Sequence, residues 1–418
     1  MRYKSQDLNS YVFKTNDYGK SWTKIVNGLM DPNGFARVVR ADKKRSGLLY
    51  AGTETGLYVS NDDGAFWQRV KLNLPIVAIN DLTIQDNDLI AATSGRGFWI
   101  LDDLSVFQNM TSEKKSVVLF PPKDSYRIFG GVSKAVGQGT NPRSGVTFDY
   151  YLDQDADTLS LKLEVLQGTE VIRTYSNKKP KGFKSWPGGP SKPQVLPSKK
   201  GFNRFTWNFN REAIPAINKV FVFGGHGGSS VAPGNYTLRL TLEDETVETQ
   251  ATILPNPAIQ STPQDFAEQQ EILVKIEATL RDMHESVNQM RSAKSQLSNY
   301  AKLLKGNTDA KPLLEKGKEL LKRINSWEEN LIQVKQKTFQ DVINFNNKLN
   351  SQLIRLKSYI DQADPKVTQG TKELYNDLMD DWQVYKNERD AIINTEMKAY
   401  NSLYRSLDIP ALILKSKD

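Results

Sequence analysis

Cysteine is absent from all 418 residues. Disulfide staples, thiolate nucleophiles and cysteine-based zinc sites are therefore excluded, while the compartment stays open, because exported bacterial chains often do without cysteine. Histidine is almost absent too: His226 and His284 are the whole supply. No histidine-rich metal centre can be built, and a histidine general base would have to be one of these two. Neither stands in a ligand set. His226 lies in Phe223-Gly224-Gly225-His226-Gly227-Gly228, which reads as a flexible loop, and His284 falls one position past Met283, beside a helical stripe, where a surface position is expected. No run approaches the ~20 apolar residues that a membrane span needs. The segment from Met1 to Phe13 has no apolar core of signal-peptide length.

Hydrophobic residues make up 38% of the chain and charged residues 25%, as in soluble globular proteins, and the length points to two or three domains. The net charge of +8 raises the question of nucleic acid without answering it.

What the chain does have is a repeat. Thr15-Asn16-Asp17-Tyr18-Gly19-Lys20-Ser21-Trp22 returns as Ser60-Asn61-Asp62-Asp63-Gly64-Ala65-Phe66-Trp67. Both fit Ser/Thr-x-Asp-x-Gly-x-x-Trp, and Asp17 and Asp62 stand about 45 residues apart, the length of a propeller blade. The chemistry is that of a hairpin turn. Asp accepts backbone amides, Gly takes a positive φ, and Trp packs on a neighbouring strand. Tyr11 to Phe13, Phe35 to Ala41, Leu48 to Gly52, Gly56 to Val59, Ile79 to Ile84 and Leu89 to Thr93 read as short strands in meandering sheets rather than βαβ crossovers.

These repeats resemble the Asp boxes of bacterial neuraminidase-type repeats, found in sialidases, xyloglucanase-like glycosidases and sortilin-type propellers. Ala91 to Leu104, with Gly95, Arg96, Phe98, Trp99, Asp102 and Asp103, is similar to the Thr-His-Gly-Arg-x-Phe-Trp-x-Leu-Asp-Asp segment that closes the propeller of large bacterial proteins labelled "glycosyl hydrolase" or "sortilin-like". Ser94 stands where that family carries His, so any role of that histidine is missing. The resemblance implies a partial β-propeller of two to three blades over residues 1–112. Two or three blades would leave sheet edges unpaired and a face open, so a longer protein, continuing upstream of Met1, is expected. The Asp-box carboxylates belong to structural turns away from a propeller's mouth. Arg37, Arg40 and Arg96 would serve an anionic-sugar site only with further arginines, a Tyr nucleophile and an acid. No carboxylate pair of glycosidase type can be picked out.

From Leu119-Phe120-Pro121-Pro122 onward the pattern changes. Val146 to Leu152, Leu159 to Leu166, Gly201 to Phe209, Val231 to Leu240 and Thr246 to Ile253 alternate as half-buried antiparallel strands do. Residues 113–257 resemble an Ig-like β-sandwich of flagellar hook-capping type, where Gly-x-Asn-x-Phe-x-Trp and Pro-Gly-x-Tyr strands recur. Between Glu170 and Glu212 no acidic residue occurs, while Arg173, Lys178, Lys179, Lys181, Lys184, Lys192, Lys199, Lys200, Arg204 and Arg211 gather around Tyr175, Phe183 and Trp186. A solvated loop from Lys178 to Lys200, with Phe205, Trp207 and Phe209 in or near a core, is the favoured reading. Anionic polysaccharide comes next and nucleic acid last.

Thr262-Pro263-Gln264-Asp265 starts a helix. Apolar stripes follow at Ile276, Leu280, Met283, Val287, Met290, Ala293 and Leu297, then from Leu314 through Gly317, Leu321, Ile324, Trp327 and Leu331 to Val334, then at Val342, Phe345, Leu349, Leu353, Leu356 and Ile360. Asp364-Pro365 breaks the chain, and Gly370-Thr371 restarts it toward Leu374, Leu378, Trp382, Tyr385 and Ile392. Residues 262–418 are expected to form an antiparallel helical bundle, with a long coiled coil as competitor. The resembled family also ends in a helical region opening with an Asp-Phe-like pair, here Asp265-Phe266.

The fold class expected is therefore multidomain β plus α. The function expected is a non-catalytic binding or scaffold segment of a secreted, periplasmic or cell-surface propeller protein that recognises protein or polysaccharide. The alternative is the tail of a glycoside hydrolase whose catalytic carboxylates lie in further blades. No cofactor or metal is expected, and no residue of this chain receives a catalytic role.

Overall fold

A computed structural model describes residues 5–29, 34–110, 115–130, 143–180, 182–407 and 409. Residues 1–4, Lys181, Asp408 and the last nine positions, all of which enter the expectations above, lie outside them. The protein is mixed β plus α, with several antiparallel sheets followed by helices. It divides into two compact units. One comprises residues 1–123, 148–155 and 199–204, and the other residues 124–147, 156–198 and 205–418.

The first unit opens with three successive antiparallel sheets. The first pairs β1 (Phe13–Lys14) with β2 (Thr23–Lys24). The second is a four-stranded meander of β3 (Ala36–Ala41), β4 (Leu49–Thr53), β5 (Leu57–Ser60) and β6 (Gln68–Val70). The third has β7 (Ile79–Gln85), β8 (Asp88–Thr93) and β9 (Phe98–Leu101), and the short helix α1 (Ser105–Asn109) comes next. Side chains of a strand alternate between its faces, so β3, β4 and β5 of the middle sheet each serve two cores. Leu48, Tyr50, Leu57 and Val59 pack on Ile79, Leu82, Leu89 and Ala91 of the third sheet. Ala51, Tyr58 and Trp67 point the other way and pack with Val12, Ile25 and Leu29 beside the first. Both faces of the middle sheet are covered.

A further sheet is made of β10 (Val117–Leu119), β12 (Val146–Leu152) and β15 (Gly201–Trp207). β12 and β15 contribute residues to both units.

The second unit holds a five-stranded sheet in the order β11-β17-β16-β13-β14. Its strands are β11 (Ser125–Tyr126), β13 (Leu161–Gln167), β14 (Glu170–Ser176), β16 (Gly234–Leu242) and β17 (Glu245–Leu254). β14 was not expected. Its residues open the basic stretch, yet Ile172 and Tyr175 are buried on its inner face.

Among the described residues five α-helices follow: α2 (Pro263–Leu303), α3 (Lys311–Leu331), α4 (Leu349–Ile360), α5 (Gln369–Ala391) and α6 (Lys398–Ser406). Thr262 and Asp265 close a full capping box at the start of α2, with Pro263 in its first turn. Contacts fix the directions. Arg291 of α2 meets Glu328 of α3 at 2.7 Å, and Gln269 near the start of α2 reaches Ile360 at the end of α4. α3 and α4 thus descend beside α2 one after the other. Glu268 pairs with Lys372, Asp282 with Arg389, and Tyr300 meets Tyr404, so α5 and α6 climb parallel to α2. Three legs, up, down and up, share one apolar core that includes Leu280, Ile324, Trp327 and Leu353.

The descending leg corrects the sequence reading. Val334, Val342 and Phe345 match the helical spacing but lie outside α3 and α4. Thr338 and Asp341 cap a short 3₁₀ helix, Phe339–Ile343, and Gln336 donates to the Phe345 carbonyl at 2.9 Å. These local bonds compete with the α-helical ladder and interrupt it.

Candidate functional site

The two repeat turns have the same internal wiring. In the first, the Thr15 hydroxyl donates to Asp17 at 2.8 Å and accepts the Gly19 amide at 2.7 Å, while the Ser21 amide donates to Asp17 at 2.8 Å. In the second, the Ser60 hydroxyl donates to Asp62 at 2.7 Å and accepts the Gly64 amide at 2.9 Å, while the Phe66 amide donates to Asp62 at 2.9 Å. Gly19 and Gly64 both sit near φ +90°, a conformation that any other L-residue adopts only with strain.

These carboxylates are held ionised. Hydrogen bonds from Ser21 and Thr15 hold Asp17 down at about 2. At Asp62 partial burial pushes upward, but the bonds from Phe66 and Ser60 outweigh it and the net direction is down. A general acid needs the opposite shift, so both turns lack the property that proton donation at neutral pH requires.

The two tryptophans differ. Trp67 is 1% exposed, its indole donates to the Ile25 carbonyl at 3.0 Å, and Gly28 lies so close to its backbone that a Cβ there would clash. Trp22 is 60% exposed and its indole turns back to Gly19 of its own hairpin at 3.2 Å. Tyr11, Phe13 and Tyr18 of the same hairpin are exposed with it.

At the other end, Gly95, Arg96, Phe98 and Trp99 form the β8–β9 hairpin. Gly95 and Gly97 take positive φ, the Thr93 hydroxyl donates to the Gly97 carbonyl at 2.6 Å, and the Trp99 indole donates to the Arg96 carbonyl at 3.1 Å. Trp99 and Leu101 face the core, whereas Phe98 and Ile100 face outward, Phe98 at 79% exposure. Asp103 braces the turn into α1: its carboxylate accepts the Ser105 amide at 3.0 Å and the Asn87 side chain at 3.2 Å. Asp102 and Asp103 lie close enough to strengthen the charge on Arg204, whose principal partner is Asp149.

The arginines considered for an anionic sugar are not assembled. Arg37 is committed to Glu54 at 2.6 Å and Asn80 at 3.1 Å, and Arg40 to Asp81 at 2.6 Å. Among the described residues, Arg96 donates only to the Gly95 carbonyl. The arginines of the basic stretch are engaged as well. Arg204 forks onto Asp149 at 2.8 and 2.9 Å, Arg173 reaches Glu212, and Arg211 lies between Glu170 and Glu277. Tyr175, Phe205, Trp207 and Phe209 are core residues, and the Trp186 indole is tied to the Val220 carbonyl at 2.8 Å. The described residues between 177 and 200 form no strand, as a loop there required.

The surface position expected for His284 is overturned, while residues 223–228 lie in a loop as read. His284 is wholly buried rather than superficial, because the segment from Arg211 to Val231 covers that side of α2. His226 is buried too, and its ring stands 6.2 Å from that of His284. No signal in the sequence announces this pairing, since 58 residues without a shared motif separate the two. Among the described residues, no group of three His, Asp or Glu side chains could hold a metal, and no helix is long and apolar enough to cross a membrane.

No family model matches the chain, and no curated protein does. Solved structures offer faint similarity. The extracellular domain of BT4673 of B. thetaiotaomicron, described as a one component system, is 13% identical with a TM-score of 0.19, over 59% of this chain and 29% of that one. That of BT3049, a hybrid two component system of the same organism, is 13% identical with a TM-score of 0.20, over 58% and 29%. This chain therefore spans under a third of the length of those domains. A likeness so slight indicates neither ligand nor location.

Proposed function

We propose that this chain is a non-catalytic binding or scaffold segment of an exported protein. In this reading its first three sheets are blades of a larger propeller, residues 113–257 an Ig-like sandwich and residues 262–418 a helical bundle. One observation carries the reading: the middle sheet is covered on both faces, while the outer two leave Trp22, Phe13, Phe98 and Ile100 open. A soluble chain seldom exposes large side chains in register on a sheet face without a partner for them. The sandwich reading is supported by Tyr236, whose hydroxyl donates to the Ala232 carbonyl at 2.7 Å as the tyrosine corner of Greek-key sandwiches does. Export rests on the resemblance of the Asp boxes and of Gly95 to Asp103.

The function is tested with the purified chain. Affinity electrophoresis in soluble polysaccharides and sedimentation equilibrium are expected to detect retention or self-association that Trp22→Ser with Phe98→Ser removes. Release of reducing sugar by the chain alone would contradict a non-catalytic role.

A further inference from the structure

The chain's only two histidines are buried side by side, one on the segment 211–231 and one on α2. The His284 Nδ1 bonds the Pro215 carbonyl at 2.8 Å. Among the described residues, nothing bonds the His284 Nε2 or either nitrogen of His226. Buried polar atoms are nearly always paired, so three open imidazole nitrogens in one contact are unusual. Two imidazoles are too few for a protein-built metal centre.

We infer that His226 and His284 form an acid-operated latch, which holds residues 211–231 on α2 while both rings are neutral and releases them when the rings take protons. The surroundings make a charged pair untenable. On the segment itself lies Arg211, on α2 Glu277 and Arg281, and on α4 Lys357 and Asp361. Each is already engaged: Arg281 with the Ala213 carbonyl at 3.2 Å, Lys357 with the Gly227 carbonyl at 2.8 Å, Glu277 with the Ser229 amide and Arg211, and Asp361 with the Ser230 amide at 3.1 Å. Among the described residues, neither Glu277 nor Asp361 is free to receive an imidazolium, and neither acts on the rings. Burial pushes His284 down to about 4, with the charge of a protonated His226 adding to that, and burial pushes His226 down as well.

The linkage has a definite sign. A ring whose folded value lies below 6.5 stabilises the closed segment fully above that pH, and the contribution is lost as pH falls toward about 4. For His284 alone the opening equilibrium shifts by about three-hundredfold across that window. The surface uncovered on opening is apolar: Ile214, Ile217, Val220 and Val222, now packed with α2 and α4. The latch does not depend on the propeller reading.

The test uses the whole chain labelled in histidine, which gives two ring signals because only two histidines exist. Both rings are expected to titrate below 6.5, His284 toward about 4, together with loss of hydrogen-exchange protection over residues 211–231, and to recover when the pH is restored. The double variant His226→Phe, His284→Leu should keep that protection at pH ~4. The latch is overturned if either ring titrates near 6.5 with the segment still protected. It is equally overturned if the folded double variant releases the segment at the same pH as the parent. Should the variant not fold, the ring titration of the parent decides.

Discussion

The hairpin from Phe13 to Lys24 and the hairpin from Leu57 to Val70 carry the same pattern and the same turn, yet differ in the fate of their tryptophan. Trp67 is a core residue and Trp22 is not. The Asp, Gly and Ser/Thr positions act within six residues, so sequence alone determines them. The tryptophan acts on whatever lies beside the hairpin. For Trp67 this is the stretch after the first repeat, through Ile25 and Gly28. Trp22 finds no such stretch among the described residues. A repeat motif therefore has a self-contained part and a part completed by its neighbour, and only the second part differs between the copies.

The largest test of that division is truncation of the two rings. Trp67→Ala should lower stability by about 3–5 kcal/mol, the usual range for a buried aromatic, whereas Trp22→Ala should change it by under about 1 kcal/mol; urea unfolding reads both. Comparable losses would erase the contrast. Next come the glycines. An added Cβ at Gly64 would meet Ile25 at 2.5 Å, while one at Gly19 meets nothing nearer than Trp22 at 3.9 Å. Gly64→Ala should therefore cost about 2–3 kcal/mol and Gly19→Ala about 1 kcal/mol, the latter from φ alone. The self-contained part should behave evenly. Ser60→Ala and Thr15→Ala both remove the bond to the Asp and the bond from the Gly amide, and each should cost about 1 kcal/mol in the same assay.

The smallest effect is electrostatic. Asp17 titrates at about 2 instead of 3.8, so its contribution is full above 3.8 and disappears as pH falls through about 2. Asp17→Asn should lower stability slightly in the neutral range and flatten that part of the acid limb, so that variant and parent converge as pH falls through about 2. A variant with an unchanged acid limb would show that the turn does not depend on the ionised carboxylate.

Legibility in the sequence obeys the same division. The two turns, the strand from Val146 to Leu152 and the cap at Thr262 are readable because each is written in adjacent residues. β14 is hidden by its charges and by a bulge that sets its buried residues, Ile172 and Tyr175, three apart instead of two. The interruption after Leu331 is hidden by apolar spacing that continues through Val342 and Phe345, while Thr338 and Asp341 write a local stop. The histidines are hidden for a third reason. α2 is covered on a second side by residues 211–231, and a stripe read along one helix cannot report a partner so far away in sequence. The arginines of the basic stretch went the same way: their acids, Asp149 and Glu277, lie outside it.

Hydroxyl-radical footprinting with mass-spectrometric readout compares the two rings within one molecule. In the chain as it stands Trp22 should oxidise freely and Trp67 slowly. A tandem copy of residues 12–56 inserted ahead of Val12 supplies Trp22 with its own equivalent of Ile25 and Gly28, and there Trp22 should become as protected as Trp67. If Trp22 is already protected in the parent chain, or stays fully reactive in a folded duplicated chain, neighbouring repeats do not complete one another and the blade reading of the first unit is wrong.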